Sequence, residues 1–365
     1  MKRREFLKQA AVASGAAVST SLSANVFAQG AGSIDIEMVS SFPTVTSVIM
    51  GMAERFASNV STMTNGEVNI TIYPVGAQVG GFEVYDAVSS GAFEMGHSPS
   101  YYYIGKNTAN AFFTGVPFGL NAQLQNAWLL FGGGLELWNE ISAPDGLVVF
   151  PGGNSGMQTG GWFRQELNSL ADLQGLRMRI PGLGGEVMSR AGVNVQVLPG
   201  NEVFIALERG TIDAAEWIGP FDDEIMGFQR IAPYYYQPGW HEAGASLGLY
   251  INQGFFEGLP EDVQTVIETA ALRGNSEMQA EYDAANGAAF QRLIEAGAEP
   301  RNFPTNILAR FKTIMDEIHE ENIAASEDYA RVYENWSAFK TSAESYNRVG
   351  DFNFLEFVYQ EDEGV

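Results

Sequence analysis

Ile34-Asp35-Ile36-Glu37-Met38, then Val45, Val48, Ile49, Met52, Phe56 and Val60, then Val68-Asn69-Ile70-Thr71-Ile72: the reading of this stretch decides the fold class. In its first and last segments apolar and polar residues alternate, the period-two signature of a strand with one buried face. The middle series recurs every three or four residues, as one face of a helix does. Asn65-Gly66 supplies a turn, and Pro74 stops the second strand. Phe82 to Val88 reads as a second helix, closed by Gly91. The strand–helix–strand–helix order predicts an α/β sheet with short crossovers. Ligands of such sheets sit where loops converge at the carboxyl ends of the strands.

Further along, Leu147-Val148-Val149-Phe150 predicts an apolar strand running into the loop Pro151-Gly152-Gly153-Asn154-Ser155-Gly156. Leu176 to Ile180 is another strand, with Leu176, Met178 and Ile180 on one face and Arg177 and Arg179 on the other. Val195 to Leu198 is a further strand and Glu202 to Leu207 a helix ended by Gly210. Beyond Phe303 two apolar stripes follow: Ile307, Leu308, Phe311, Ile314, Met315 and Ile318, then Tyr329, Val332, Tyr333, Trp336 and Phe339. One unbroken helix over Thr305–Tyr346 would be ~60 Å long. It must bridge two domains, break near Ser326 or pack on another subunit.

The N-terminus predicts export. Arg3-Arg4 forms a twin-arginine pair, a weakly apolar run extends from Ala10 to Val18, and Val26-Phe27-Ala28 offers a cleavage site before Gln29. No other segment is apolar for long enough to span a bilayer, and no membrane insertion is expected. Cysteine is absent, which excludes lipid attachment at the cut, disulfides and thiolate chemistry. Residues 1–28 carry four basic and one acidic residue, so the remaining 337 residues carry a charge of −27 against −24 for the whole chain. That balance argues against nucleic acid and anionic lipid as partners. A local cation inside a cleft can still attract an anion, because salt screens the distant surface over about 8–10 Å.

Enzymatic readings find little support. Gly244-Ala245-Ser246-Leu247-Gly248 matches a hydrolase nucleophile elbow, which makes a secreted serine hydrolase using Ser246 the rival function. The only histidine downstream is His319, placed by helical pattern on a charged side beside Glu320 and Glu321. His97, His241 and His319 show no metal-ligand spacing, whereas a hard cation needs only oxygens. Gln158, Glu216 and Glu242 could supply them. Tyr101-Tyr102-Tyr103, Trp217, Phe221, Tyr234-Tyr235-Tyr236 and Trp240 lie in segments rich in glycine and proline, as aromatic walls of a small-molecule pocket do.

Leu173-Gln174-Gly175-Leu176-Arg177-Met178-Arg179-Ile180-Pro181, followed by Glu202 through Glu216, resembles the signature of the solute receptors of tripartite ATP-independent periplasmic (TRAP) transporters, the DctP family. Ser41-Phe42-Pro43, Tyr101-Tyr102-Tyr103-x-Gly105-Lys106, the run Pro151 to Arg164, Glu216-Trp217-x-Gly219-Pro220-x-Asp222-Asp223-Glu224 and Pro233 to Trp240 are similar to the subgroup that binds 2-oxo monocarboxylates. The resemblance implies a two-lobed α/β clamshell of the periplasmic-binding-protein type with a long C-terminal helix. It implies lobe I from 29–157 and 246–285, lobe II from 158–245 and 286–304, and a C-terminal helical segment 305–365 that dimerises, following the signal peptide 1–28. It further implies a periplasmic receptor, not an enzyme, that delivers a small carboxylate such as pyruvate to TRAP membrane subunits. Lactate or another carboxylate, held with calcium, is the alternative ligand.

By the same resemblance the carboxylate anchor falls on Arg179, a choice that strand alternation leaves open between Arg177 and Arg179. A bridging sodium or calcium ion would be held by Gln158, the Glu216 side chain, the Trp217 backbone and Glu242. Tyr102, Tyr103 and Asn154 would line the ligand, with Gln158 and Trp217 also against it. His241 stands where a second aromatic residue is expected.

Overall fold

The computed structural model describes residues 33–362. The proposed signal peptide and its cleavage point lie outside the described residues. Eleven strands occur among them: β1 (Ile34–Ser40), β2 (Val68–Tyr73), β3 (Met95–Ser98), β4 (Leu147–Asn154), β5 (Gly161–Phe163), β6 (Arg177–Arg179), β7 (Asn194–Gln196), β8 (Ala214–Ala215), β9 (Tyr234–Gln237), β10 (Ser246–Asn252) and β11 (Glu299–Asn302). They form two sheets, in the orders β2-β1-β3-β10-β4 and β11-β9-β5-β8-β6-β7. The chain passes from the first sheet to the second after β4, returns at β10, and crosses again to reach β11.

The first strand–helix–strand unit forms as its pattern predicts. β1 and β2 pair in parallel with Ile34 opposite Val68 and Ile36 opposite Ile70. The helix Ser47–Met63 buries Val48, Ile49, Met52, Phe56 and Val60; Val45 lies before it and is exposed. The strand expected at Leu147 does not stop at Phe150 but runs to Asn154, paired with β10. The strand expected at Val195–Leu198 is shorter and starts one residue earlier, at Asn194.

The longest helix, Glu261–Glu295, has 35 residues and is roughly 52 Å long. Its buried face runs from Val263 and Ile267 to Tyr282 and Leu293, but its middle is built of Ala270, Ala271, Gly274 and Asn275, small or polar residues that interrupt the apolar stripe. Their smallness is required: a Cβ on Gly274 would lie 2.9 Å from Met52 Sδ.

Of the three possibilities for the C-terminal segment, the break is realised. Ser326 is extended (φ −139°, ψ 120°) between the helices Thr305–Ala325 and Glu327–Asn347, and its Oγ accepts from the Tyr329 amide at 3.2 Å. From Glu327 the chain is helical to Asp362, through one wider turn at Arg348–Phe352. Both apolar stripes fold onto the chain's own core: Ile307, Phe311, Ile314 and Ile318, and likewise Tyr329, Val332 and Trp336, are buried with Phe112 between them. The last turns differ. Tyr346, Val349, Phe352, Phe354, Leu355, Phe357, Val358 and Tyr359 are exposed.

His319 corrects its expected place. It is buried, not on a charged face, and its Nδ1 lies 2.8 Å from Tyr329 Oη. Burial holds its pKa down at about 4.

Two stability outcomes follow from this packing. Trp336→Ala costs about 3–5 kcal/mol and lowers the calorimetric melting temperature by roughly 6 °C or more. Truncation after Asn347 removes no buried side chain among the described residues and, at protein concentrations low enough to keep the full-length chain monomeric, leaves the melting temperature within about 2 °C.

Candidate functional site

The site is assembled around the short strand β8. Asp213 precedes it and Glu216 follows it, and β8 lies parallel to β6. Each end therefore meets one arginine of β6. Asp213 takes Arg177, with Nε to Oδ2 at 2.8 Å and Nη2 to Oδ1 at 2.5 Å, at an exposed edge. Glu216 takes Arg179, whose Nη1 donates to Oε1, and both are buried. Arg179 is fixed further by Nε donating to the Leu198 carbonyl at 3.1 Å and Nη2 to Tyr102 Oη at 3.4 Å. Its guanidinium lies 5.8 Å from the centre of the Trp217 ring. Burial opposes its charge, but Glu216, Tyr102, Tyr101 and Glu242 outweigh that and keep it protonated.

A cavity of about 30 Å³ lies here, lined from the first sheet's side by Phe42, Ile49, Tyr101, Tyr102, Ala245 and Leu247 and from the second's by Arg179, Gly200, Trp217 and Ile218. Ser155, Gln158 and Glu242 complete it. Such a volume suits a ligand of few atoms, since one water needs about 10–15 Å³ of it. Gly200 is obligatory: a Cβ there would sit 2.5 Å from the Trp217 ring.

Beside the cavity, Glu216, His241 and Glu242 each offer a ligating atom, all within 4.8 Å of one another and all buried. Gln158 Nε2 donates to Glu242 Oε2 at 2.8 Å and to Ser155 Oγ at 3.1 Å. Its Oε1 is buried and has no hydrogen-bond partner among the described residues. Burial pushes the Glu242 carboxyl up to about 7; the Glu216 charge acts the same way, while His241 and Arg179 oppose it. Two carboxylates and an orphaned amide oxygen fit a hard cation, which takes oxygen donors.

Of the residues expected at the site, Arg179, Gln158, Glu216, Trp217, Glu242 and Tyr102 are brought together. Tyr103 is not. Its hydroxyl donates to Ser98 Oγ at 2.6 Å and its ring packs on Tyr85 and Tyr250, because three successive residues of one tight helical turn cannot face the same way. Asn154 also turns away, donating to Ser246 Oγ at 3.0 Å and accepting from the Gly156 amide at 2.9 Å, so it fixes the loop that carries Ser155. Tyr101, expected as an aromatic wall, lines the cavity, and so do Phe42 and Ser155, which the sequence marks only as parts of motifs. The hydrolase constellation is not assembled: Ser246 is buried at the start of β10 against Asn154, and His319 is engaged by Tyr329.

The chain matches the family described as bacterial extracellular solute-binding protein, family 7 (DctP), over residues 39–326. It belongs to this family. A relative from Nostoc sp., named monocarboxylate 2-oxoacid-binding periplasmic protein, is 45% identical over 360 residues, 98% of this chain and 99% of the relative. A TRAP transporter solute-binding protein from Bordetella bronchiseptica is 39% identical, with a TM-score of 0.89 over 91% of this chain and 99% of its own; it was solved as a dimer with calcium and picolinate. One from Colwellia psychrerythraea, with bound calcium and pyruvate, is 36% identical with a TM-score of 0.86 over 89% of this chain and 99% of its own. One from Pseudoalteromonas atlantica, with bound sodium and pyruvate, is 35% identical with the same TM-score and coverage. The family's two-sheet α/β architecture is the one found in this chain.

The paired arginines differ in what their partners are worth. Glu216→Ala leaves a buried guanidinium without its counter-charge and lowers stability by about 3–5 kcal/mol. Asp213→Ala breaks a partly exposed bidentate pair and the Arg177 amide bond to the same carboxylate, and costs about 1 kcal/mol, well below the Glu216 variant. Calorimetric melting of the two variants checks the contrast.

Proposed function

We propose that this chain is the periplasmic receptor of a TRAP transporter, that it binds a 2-oxo monocarboxylate such as pyruvate together with a sodium or calcium ion, and that it presents the closed, loaded form to the membrane subunits. The observation that carries this reading is the buried Arg179 guanidinium beside Glu216, Glu242 and the orphaned Gln158 Oε1 in a cavity of about 30 Å³. The relatives that bind pyruvate or other 2-oxoacids support it.

Each residue has a physical task. The Arg179 fork matches a carboxylate with two parallel donors, which a point charge cannot reproduce. Tyr102 adds a hydroxyl next to that fork. Gln158 Oε1, Glu216 and Glu242, with the Trp217 backbone, would hold the cation, which supplies positive charge to the ligand's carboxylate and 2-oxo oxygens. Without it, two buried glutamates face one arginine, and an incoming anion adds to an unbalanced negative charge. The aromatic and aliphatic wall excludes water, which strengthens the remaining polar contacts. A simple carboxylate lacks the second oxygen and leaves the cation underliganded.

Lobe I is assigned to 29–157 and 246–285, and lobe II to 158–245 and 286–304. Sheet membership supports the division, since β1–β4 and β10 belong to one sheet and β5–β9 and β11 to the other. No helix among the described residues is long and apolar enough to cross a membrane. A receptor role without turnover accords with the engaged states of Ser246 and His319. Self-association is assigned to the exposed apolar residues from Tyr346 to Tyr359, a narrower segment than 305–365, because the earlier stripes are occupied within the chain.

Calorimetry with pyruvate tests the site. Wild-type protein binds in sodium or calcium, and removal of both weakens binding at least tenfold. Arg179→Ala loses roughly thirty-fold or more, the cost of truncating one partner of a buried charged pair, and Arg179→Lys also binds poorly. Arg177→Ala changes affinity by less than about threefold. Pyruvate binding that survives Arg179→Ala, or that ignores the cation, removes this assignment. Light scattering gives twice the chain mass for the full-length protein and the single mass after truncation at Asn347.

A further inference from the structure

His241 is the one member of the acidic cluster that offers nitrogen. Its side chain is buried, and neither Nδ1 nor Nε2 has a hydrogen-bond partner among the described residues. Nε2 lies 3.5 Å from Glu216 Oε2. The ring is held in place from both sides: Trp240 packs at 5.5 Å between ring centres, and a Cβ on Gly184 would come within 2.9 Å of His241 Cβ. A buried imidazole with two idle nitrogens is costly unless something engages it. Donors of one ion lie about 3 Å apart on neighbouring vertices and about 4.2 Å apart on opposite ones when they bind at about 2.1 Å, and about 3.4 and 4.8 Å apart when they bind at about 2.4 Å. The 3.5 Å separation from Glu216 and the spread of the cluster, within 4.8 Å, match the longer donor distance, and binding at about 2.1 Å requires the three side chains to draw together by a few tenths of an ångström.

Resting on the cation-assisted reading above, we propose that His241 Nε2 is a direct ligand of the cation and that this nitrogen shifts the site's preference from sodium and calcium to a divalent first-row transition ion of the Mn²⁺ or Co²⁺ kind. Imidazole suits transition ions, whereas sites made for calcium or magnesium are built of oxygen. One nitrogen, two glutamate oxygens, the Gln158 amide oxygen and the Trp217 backbone oxygen, with one or two oxygens from a 2-oxoacid, make a mixed set of six or seven donors. His241 then distinguishes this receptor from one in which that position carries no donor, and the bound carboxylate reports which ion is present through its affinity.

The test uses the full chain, stripped of metal with a chelator and supplied with pyruvate. Wild-type protein equilibrated with equal Ca²⁺ and Mn²⁺ in excess sodium takes up Mn²⁺ at least tenfold over Ca²⁺ by elemental analysis. Pulsed electron paramagnetic resonance of the Mn²⁺ form shows coupling to one ¹⁴N. His241→Phe abolishes the nitrogen coupling and weakens Mn²⁺ and Co²⁺ at least tenfold, while Ca²⁺ changes less than threefold. His241→Gln, which keeps a polar side chain, gives the same loss of coupling and serves where the phenylalanine variant does not fold. Absence of nitrogen coupling in wild type, or equal weakening of Ca²⁺ and Mn²⁺ in the variants, overturns the proposal. If calcium alone supports tight pyruvate binding and transition ions do not, this inference falls and the receptor reading stands. If no cation supports pyruvate binding, the receptor reading itself falls.

Discussion

The site turns on the burial of Arg179. A guanidinium taken out of water needs a counter-charge at close range, and Glu216 supplies it from the end of a two-residue strand. Around that pair the negative charge is in excess, since Glu242 lies in the same pocket with its carboxyl pushed up to about 7. The protein therefore carries a pocket whose electrostatics are incomplete by design of its residues: an anion is attracted by the arginine and repelled by the glutamates. A cation between the glutamates reverses the second effect without weakening the first. This is how a chain of strongly negative net charge can recognise an anion.

The two sheets make that pocket possible by supplying its walls from separate layers. Arg179, Glu216 and Trp217 are positioned by β6 and β8, while Tyr101 and Tyr102 follow β3 of the other sheet. Arg179 Nη2 reaching Tyr102 Oη is thus a contact between layers, and Gly200 and Gly182 allow the close approach, with Tyr101 Cβ 3.3 Å from where a Cβ on Gly182 would lie. Enclosure depends on these approaches, and enclosure is what makes charge-assisted hydrogen bonds strong.

Much of this was legible in the sequence where a residue's task is expressed by its type and period. The opening strand–helix–strand unit follows directly from alternation, and the site glutamates, Gln158 and Arg179 follow from the resemblance. What sequence could not express is direction. Period two puts Arg177 and Arg179 on one face, yet β8 gives one an exposed partner and the other a buried one. In Tyr101-Tyr102-Tyr103 a tight turn sends the first two rings to the cavity and the third into the core, a separation that no composition reveals. His319 was assigned to a charged face by its neighbours Glu320 and Glu321, and it is buried because Tyr329, brought back by the break at Ser326, meets it. The helix Glu261–Glu295 is hard to read from sequence for the opposite reason: close packing places Ala270, Ala271 and Gly274 in the middle of its buried face.

That helix also shows how the two layers are joined. Its first half docks on the first sheet's side by fit: Gly274 lies against Met52, Met278 against Gly153, and Asn275 Oδ1 accepts from the Gly153 amide at 3.2 Å. Its second half is tied to the loop and helix after β8 by polar contacts. Tyr282 Oη donates to Asp222 at 2.5 Å, Asn286 accepts from the Phe221 amide at 3.1 Å, and Arg292 forks onto Glu224 at 2.8 and 2.7 Å. The same segment holds Asp223, buried and bonded by Tyr235 at 2.7 Å and Trp162 at 3.0 Å, which pins it to the second sheet. Between Met278 and Tyr282 the helix is tied to the first sheet's side as well, since Gln279 accepts from Asn126 at 2.9 Å and Glu281 pairs with Arg55 at 2.8 Å. Trp217 and Glu216, five and six residues before Asp222, lie on the chain that leads from the pocket to this junction. Residues that line the pocket and residues that anchor the long helix therefore share one short segment.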